Sequence, residues 1–387
     1  MTRKSTLPLT VLAAITLSAC GDFGRDDSGW MTGGDGIEIG EPDAGDQEGL
    51  DGDGGVGDGG LDGADDGHGE PDCVSERFEL GAEPPSVMLV LDKSSSMSDE
   101  RWMQDGQSVT RWSSLHGVVT DLVGTYDTTI DFGATLFPAV DSGHWQEGYA
   151  AACDVSGVAD VATASGAGGA ILDAMPGANV AVQGATPASA GMVTALGHLA
   201  VEDDGPRAVL LVTDGLANCA SEDDEEMFLY DDRLPQVVQA AYEELNIPTY
   251  VVGIDIRDET VDYAQANAHE VLDQVARVGG VAREGEAAYY AAGDPEALYE
   301  AMDQIAARIE CTVALAGPVP EDASFEIMVD GVSMDEVTDC ATEDGWRFTD
   351  AQTRSTVELC GQACDALRVE GQMEVQTCED GAILPVP

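Results

Sequence analysis

Lysine is almost missing from this chain: Lys4 and Lys93 are the only two in 387 residues. Basic residues of both kinds number 16 against 74 Asp and Glu, for a formal net charge of -58. That shortage excludes a nucleic-acid binder, because such binding depends on Lys and Arg neutralising phosphates. It equally excludes electrostatic docking on an anionic lipid surface. Aromatic residues make up only 5%, so the core must come from Val, Leu, Ile and Ala, within a hydrophobic share of 43% that suffices for a sizeable one. The five histidines (His68, His116, His144, His198 and His269) fall in no triad spacing, and neither a Gly-x-Ser-x-Gly elbow nor a Walker motif occurs. Gly166-Ala167-Gly168-Gly169-Ala170 lacks the strand and spacing of a dinucleotide fingerprint and reads as a loop entering a short helix. Together these absences argue against an enzyme. The acidic surplus keeps a chain soluble and draws in cations, and a saline habitat or a genomic bias would produce the same surplus.

Only one segment has the look of a targeting signal. Arg3 and Lys4 precede the apolar run Leu7 to Leu17, too short for a stable membrane span. The run closes Leu17-Ser18-Ala19-Cys20-Gly21, which resembles the lipobox of bacterial lipoproteins. The resemblance implies cleavage before Cys20 and a diacylglycerol on its thiol, an anchor to the membrane worth about 0.8 kcal/mol per buried methylene. Gly21 in place of an Asp favours the outer over the inner membrane as the expected destination. Residues 20–72 follow as a tether: positions 21–72 hold 18 Gly, 13 Asp and 4 Glu, with Arg25 as the single basic residue among Lys and Arg. Such a stretch cannot bury enough apolar surface to offset chain entropy, and its like charges extend it. Its Asp-Gly pairs lack the EF-hand spacing, which leaves weak, diffuse Ca²⁺ binding as the cation role open to it.

From residue 86 the texture changes. Ser86–Leu91, Ile130–Phe137, Ala208–Val212 and Thr249–Ile254 are continuous apolar runs, as expected of strands buried on both faces of a parallel sheet. Helical spacing of apolar residues runs through 101–124, 187–201, 234–245, 259–278 and 295–309, the last behind the start signal Asp294-Pro295-Glu296. The alternation predicts an α/β fold, a doubly wound and mainly parallel sheet flanked by helices, with ligands at the carboxyl ends of the strands.

Three loops at those ends carry hydroxyls and carboxylates: Asp92-Lys93-Ser94-Ser95-Ser96, Gly184-Ala185-Thr186-Pro187 and Val212-Thr213-Asp214-Gly215. Helix caps would use the same residue types. In this order, however, the three loops resemble the von Willebrand factor type A domain with its metal-ion-dependent adhesion site. The resemblance covers roughly residues 86–310 and implies metal ligation by Asp92, Ser94, Ser96, Thr186 and Asp214. The implied ion is Mg²⁺ or Mn²⁺, a hard cation that takes six oxygens. Hydroxyls in the inner shell would leave it electrophilic enough to accept a carboxylate from a protein ligand. Lys93, at the pattern's variable position, is expected to point to solvent.

Apart from Cys20, the cysteines number eight: Cys73, Cys153, Cys219, Cys311, Cys340, Cys360, Cys364 and Cys378. An even count in an exported chain predicts four disulfides, with 105 pairings open. Cys73 and Cys311 flank the sheet domain and are expected to clip it shut. Cys153 and Cys219 fall in its loops, and the other four are expected to pair among themselves. Residues 312–387 read as a small β-rich module of four short strands, with Cys360–Cys364 as a stapled turn. The expected organisation is therefore a leader (1–19), a lipidated tether (20–72), a sheet domain (73–311) and a disulfide-rich β module (312–387). The function expected of it is cation-dependent binding of a protein ligand at the cell envelope. The rival is a structural envelope component whose metal only stabilises the fold.

Overall fold

The computed structural model describes residues 73–378, apart from 80–83, 105, 202–204, 284, 316, 339, 341 and 350–353. The leader, Cys20 and the Gly/Asp-rich stretch lie outside the described residues.

The first strand, β1 (Cys73–Glu79), does not join the main sheet. The next, β2 (Ser86–Asp92), is its centre, followed by the short helix α1 (Ser96–Asp99) and a hairpin of β3 (Arg101–Gln104) and β4 (Gln107–Thr110). After α2 (Arg111–Tyr126) come β5 (Asp131–Phe137), the short helix α3 (Tyr149–Ala152), β6 (Val161–Ala164), α4 (Gly168–Ala174) and α5 (Ala188–Leu199). Then follow β7 (Arg207–Thr213), α6 (Arg233–Leu245), β8 (Thr249–Ile254), the two-residue pair β9 (Thr260–Val261) and β10 (Ala266–Asn267), and α7 (Ala268–Val278). The strand β11 (Tyr290–Ala292) and helix α8 (Pro295–Glu310) complete this part.

Six strands line up as β11-β8-β7-β2-β5-β6, parallel except for the antiparallel pair β5 and β6. This is the expected mainly parallel sheet. Its strands read as unbroken apolar runs because both faces are covered. Val87, Leu89 and Leu91 pack with Trp112 and Leu115 of α2 and with Leu298 and Met302 of α8. Met88 and Val90, on the opposite face, pack with Met192 of α5, Val238 of α6 and Leu272 of α7. Each such side chain contributes about 1.5–3 kcal/mol by leaving water.

Two helical expectations need correction. Residues 101–110 form the hairpin β3–β4, and the helix begins only at Arg111, where the Thr110 hydroxyl accepts the Ser113 N–H at 3.0 Å. Residues 259–267 carry β9 and β10, so that α7 starts at Ala268 behind its cap Asn267.

The remaining chain folds as β12 (Thr312–Ala314), β13 (Ser324–Val329), β14 (Val332–Met334), β15 (Gly345–Phe348), β16 (Thr356–Cys360), α9 (Gln362–Glu370) and β17 (Gln372–Cys378). One antiparallel sheet runs β1-β17-β13-β14 and another β12-β16-β15, around Ile327, Trp346, Val357, Leu367 and Val375. Residues 73–79 therefore pair with this module along their whole length and not with the parallel sheet.

Cys153 bonds to Cys219, joining two loops of the sheet domain. Cys311 does not bond to Cys73. Its partner is Cys364, and Cys340 pairs with Cys360. The expected stapled turn at Cys360–Cys364 is replaced by the start of α9, which places its two cysteines in different bridges. Cys378 is also disulfide-bonded and stands opposite Cys73 in the β1–β17 register. Among the described residues no helix is long and apolar enough to cross a membrane.

Candidate metal centre

The chain leaves β2 for β5 and β6 on one side of the sheet, then crosses to β7, β8 and β11 on the other. The order reverses beside β2, so the crevice of this sheet lies beyond the carboxyl ends of β2 and β7. Asp92 is the last residue of β2, and Asp214 is the first after β7.

Both are buried. One oxygen of Asp92 accepts the Ser94 N–H at 2.8 Å and the other accepts the Thr213 hydroxyl at 2.6 Å, which ties the first loop to the end of β7. The hydroxyls of Ser94 and Ser96 lie 3.0 Å apart, and Ser96 donates to Asp214 Oδ1 at 2.7 Å. Four of the five expected residues thus form one hydrogen-bonded cluster. Thr186 is buried in the adjoining loop. Its N–H donates to Asn218 Oδ1 at 2.8 Å and its carbonyl accepts the Asn218 N–H at 2.9 Å. Among the described residues no hydrogen bond joins the Thr186 hydroxyl to the other four. The second loop reaches the first through Ser95, whose N–H and hydroxyl both meet the Gly184 carbonyl at 3.1 Å. Gly184 has φ +120°, and a Cβ there would stand 2.4 Å from Pro138 Cγ, so only glycine lets the loops close this tightly. The Cys153–Cys219 bridge fastens the segment that carries Asn218.

Sequence reasoning missed one cation here and misplaced another. Arg111, only 5% exposed, donates from Nη1 to Asp214 Oδ2 at 3.0 Å and from Nη2 to Asp255 Oδ2. Its Nε is buried with no hydrogen-bond partner among the described residues. Asp255 follows β8 as Asp214 follows β7. An aspartate at the end of each of three neighbouring strands was a readable signal. Lys93, expected in solvent, is 1% exposed, with Nζ donating to the Gln183 carbonyl at 3.1 Å. Burial holds its pKa down to about 8, against the pull of Asp92, Asp141 and Asp160. Asp92 is pushed up to about 7, first by burial and then by the charge of Asp214. Burial likewise raises Asp214, opposed by Ser96 and Arg111.

Among the described residues no group of three or more His, Cys, Asp or Glu is arranged to hold a metal. A cation here would depend on hydroxyls. Their spacing suits one: neighbouring ligands of an octahedral Mg²⁺ at about 2.0–2.1 Å stand about 2.9 Å apart, against 3.0 Å for Ser94–Ser96 and 2.7 Å for Ser96–Asp214. The donor set therefore fits a hard divalent ion. Two of the described histidines are engaged elsewhere: His198 Nε2 lies 2.9 Å from the Thr163 hydroxyl, and His269 Nδ1 lies 2.9 Å from the Tyr289 hydroxyl.

No family model matches the sequence, and no curated protein matches it. Solved structures with a similar course of chain include the pilus adhesin SpaC from Lactobacillus rhamnosus GG, at TM-score 0.43 and 14% identity over 82% of this chain. This chain covers 43% of that adhesin, under half of its length. The PilB minor pilin from Streptococcus sanguinis gives TM-score 0.39 and 16% identity, over 59% of this chain and 61% of that one. The vWF domain of the type V pili tip protein Mfa5 from Porphyromonas gingivalis gives 0.38 and 10%, over 58% and 94%. At these values the likenesses carry no statement about activity.

Proposed function

We propose that this is a von Willebrand factor type A-like binding module of a cell-envelope lipoprotein, which holds a divalent cation and through it a protein ligand. The observation that carries the reading is the cluster of Asp92, Ser94, Ser96 and Asp214 at the sheet's switch point, with hydroxyl spacing that suits Mg²⁺. Ser94 and Ser96 would supply neutral ligands, and Thr186 a further one from the adjoining loop. Asp92 and Asp214 would supply charge directly or through water. When bound, the ion offers a Lewis-acid position for a carboxylate of the partner. The residues of the chain hold the loops and orient the donors, and the reading assigns them no catalysis.

Arg111 favours this over the purely structural role for the metal. It already bridges Asp214 and Asp255 with one positive charge, so the two carboxylates are held side by side without an ion while one negative charge stays over. A pull-down from envelope extracts decides between the two. The binding reading expects a partner retained with Mg²⁺, released by chelator and missed by Ser94→Ala. Retention of the same partner by all three would leave only the structural role. The lipid anchor at Cys20 is proposed from the lipobox-like Leu17–Gly21 segment alone, and membrane fractionation of Cys20→Ser tests it.

A further inference from the structure

Fourteen arginines serve a chain with 74 Asp and Glu, and four of them line one cleft. The cleft is about 620 Å³ and lies where the parallel sheet meets the C-terminal module, within a single compact unit, Glu70–Pro387. Arg283, past α7, and Arg308 on α8 come from the sheet side. Arg347 on β15 and Arg368 on α9 come from the module. A second cleft of similar size, about 590 Å³, shows what this chain ordinarily presents: its walls include Asp121, Asp294 and Glu296 and no basic residue.

Part of this arginine cluster is a clamp. Arg308 and Arg347 both donate to Glu358, a buried carboxylate, with Arg308 Nη2 at 3.0 Å and Arg347 Nε at 2.9 Å. Arg368 donates to Glu310 at 2.9 Å and to the Ala307 carbonyl at 3.0 Å. The clamp does not balance its own charge, because two guanidinium groups share one carboxylate. Their side chains are 19% and 26% exposed, which is enough to reach a ligand and too little to be fully hydrated. Arg283 is exposed and stacks over the Tyr290 ring at 4.7 Å, and no carboxylate meets its side chain among the described residues. Two half-buried guanidinium groups on one carboxylate leave a positive charge in excess, and an oxyanion in the cleft would offset it. Guanidinium forks match carboxylate and phosphate geometry, and the volume is that of small-molecule sites.

We infer that this cleft binds a small molecule bearing a carboxylate or phosphate group, seated against Arg283 and Arg347 at a site separate from the metal centre. Calorimetric titration of the metal-free protein, at constant ionic strength set with chloride, tests this with inorganic phosphate and citrate as probes. One saturable site is expected for at least one of them, and which probe binds assigns the ligand's anionic group. Arg283→Gln, which breaks no ion pair, should weaken it about tenfold or more with unchanged thermal stability. Arg347→Gln should weaken it at least as much, since Glu358 keeps Arg308. Asp214→Ala should bind like wild type. No saturable heat from either probe overturns the inference. Wild-type affinity in Arg283→Gln overturns it too, whether or not Arg347→Gln folds.

Discussion

Cations are scarce in this protein, and two regions gather them to opposite ends. At the switch point of the sheet, Lys93 and Arg111 sit among Asp92, Asp214 and Asp255, so carboxylates outnumber cations and hydroxyls fill the space between. At the seam with the module, Arg283, Arg308, Arg347 and Arg368 outnumber the carboxylates that touch them, Glu358, Glu310 and Asp365. The first balance leaves room for a divalent cation and the second for an anion. Net charge describes neither place. What decides is the local count around each buried group, because burial strips away the solvent that would otherwise screen it.

Disulfides staple both regions, and their removal should have the largest effect. In the chain-entropy model a bridge over 66 residues (Cys153–Cys219) or 53 residues (Cys311–Cys364) stabilises by about 4 kcal/mol. Paired alanine replacements should lower denaturant midpoints by comparable amounts. Only the Cys153/Cys219 pair should also weaken Mg²⁺ binding, because only that bridge holds the segment of Asn218. Non-reducing peptide maps of the same preparations should join Cys73 to Cys378, since the other six exported cysteines pair among themselves.

Next in size is Glu358→Gln, which leaves Arg308 and Arg347 facing each other with no shared carboxylate. A loss of about 3 kcal/mol is expected in thermal unfolding. Added phosphate or citrate should recover part of it, while Mg²⁺ should recover none. Arg111→Gln is the mirror experiment. It strips the counter-charge from Asp214, at a cost of about 2–3 kcal/mol in chelator, and Mg²⁺ should recover part of that. Equal losses with and without Mg²⁺ would make Arg111 a purely structural group. The smallest effect belongs to Lys93→Met, about 1 kcal/mol or less, because an apolar chain replaces an amine with one hydrogen bond to a carbonyl.

The sequence disclosed the centre of each of these regions better than its rim. Ser86–Asp92, Asp131–Phe137, Arg207–Thr213 and Thr249–Ile254 were readable because burial on both faces leaves no polar interruption. The edge strands Val161–Ala164 and Tyr290–Ala292 are short, and each exposes alternate or middle residues, so no run marks them. The hairpin at 101–110 passed for helix because Trp102, Val109 and Trp112 fall at spacings a helix also permits. Gly106, at φ +76°, was the turn signal against it. Asp92, Ser94, Ser96 and Asp214 could be named because the loops after β2 and β7 carry, in order, the residues of the adhesion-site pattern that the sequence resembles. Arg111 could not, since its approach to Asp214 spans 103 residues and depends on the fold. Lys93 and the Cys311–Cys364 bridge were misjudged for the same reason: side-chain direction and long-range pairing are tertiary facts.

The central claim is that the hydroxyl and carboxylate cluster beyond β2 and β7 holds a divalent cation. Calorimetric titration of the purified protein with Mg²⁺ and Mn²⁺ measures it directly, with wild type and Asp214→Ala compared at the same ionic strength. The account predicts one saturable site in wild type, weakened at least about tenfold in the variant while its circular dichroism stays native. Equal heats from the two proteins would mean that the ions bind elsewhere on this acidic chain, and would contradict the account.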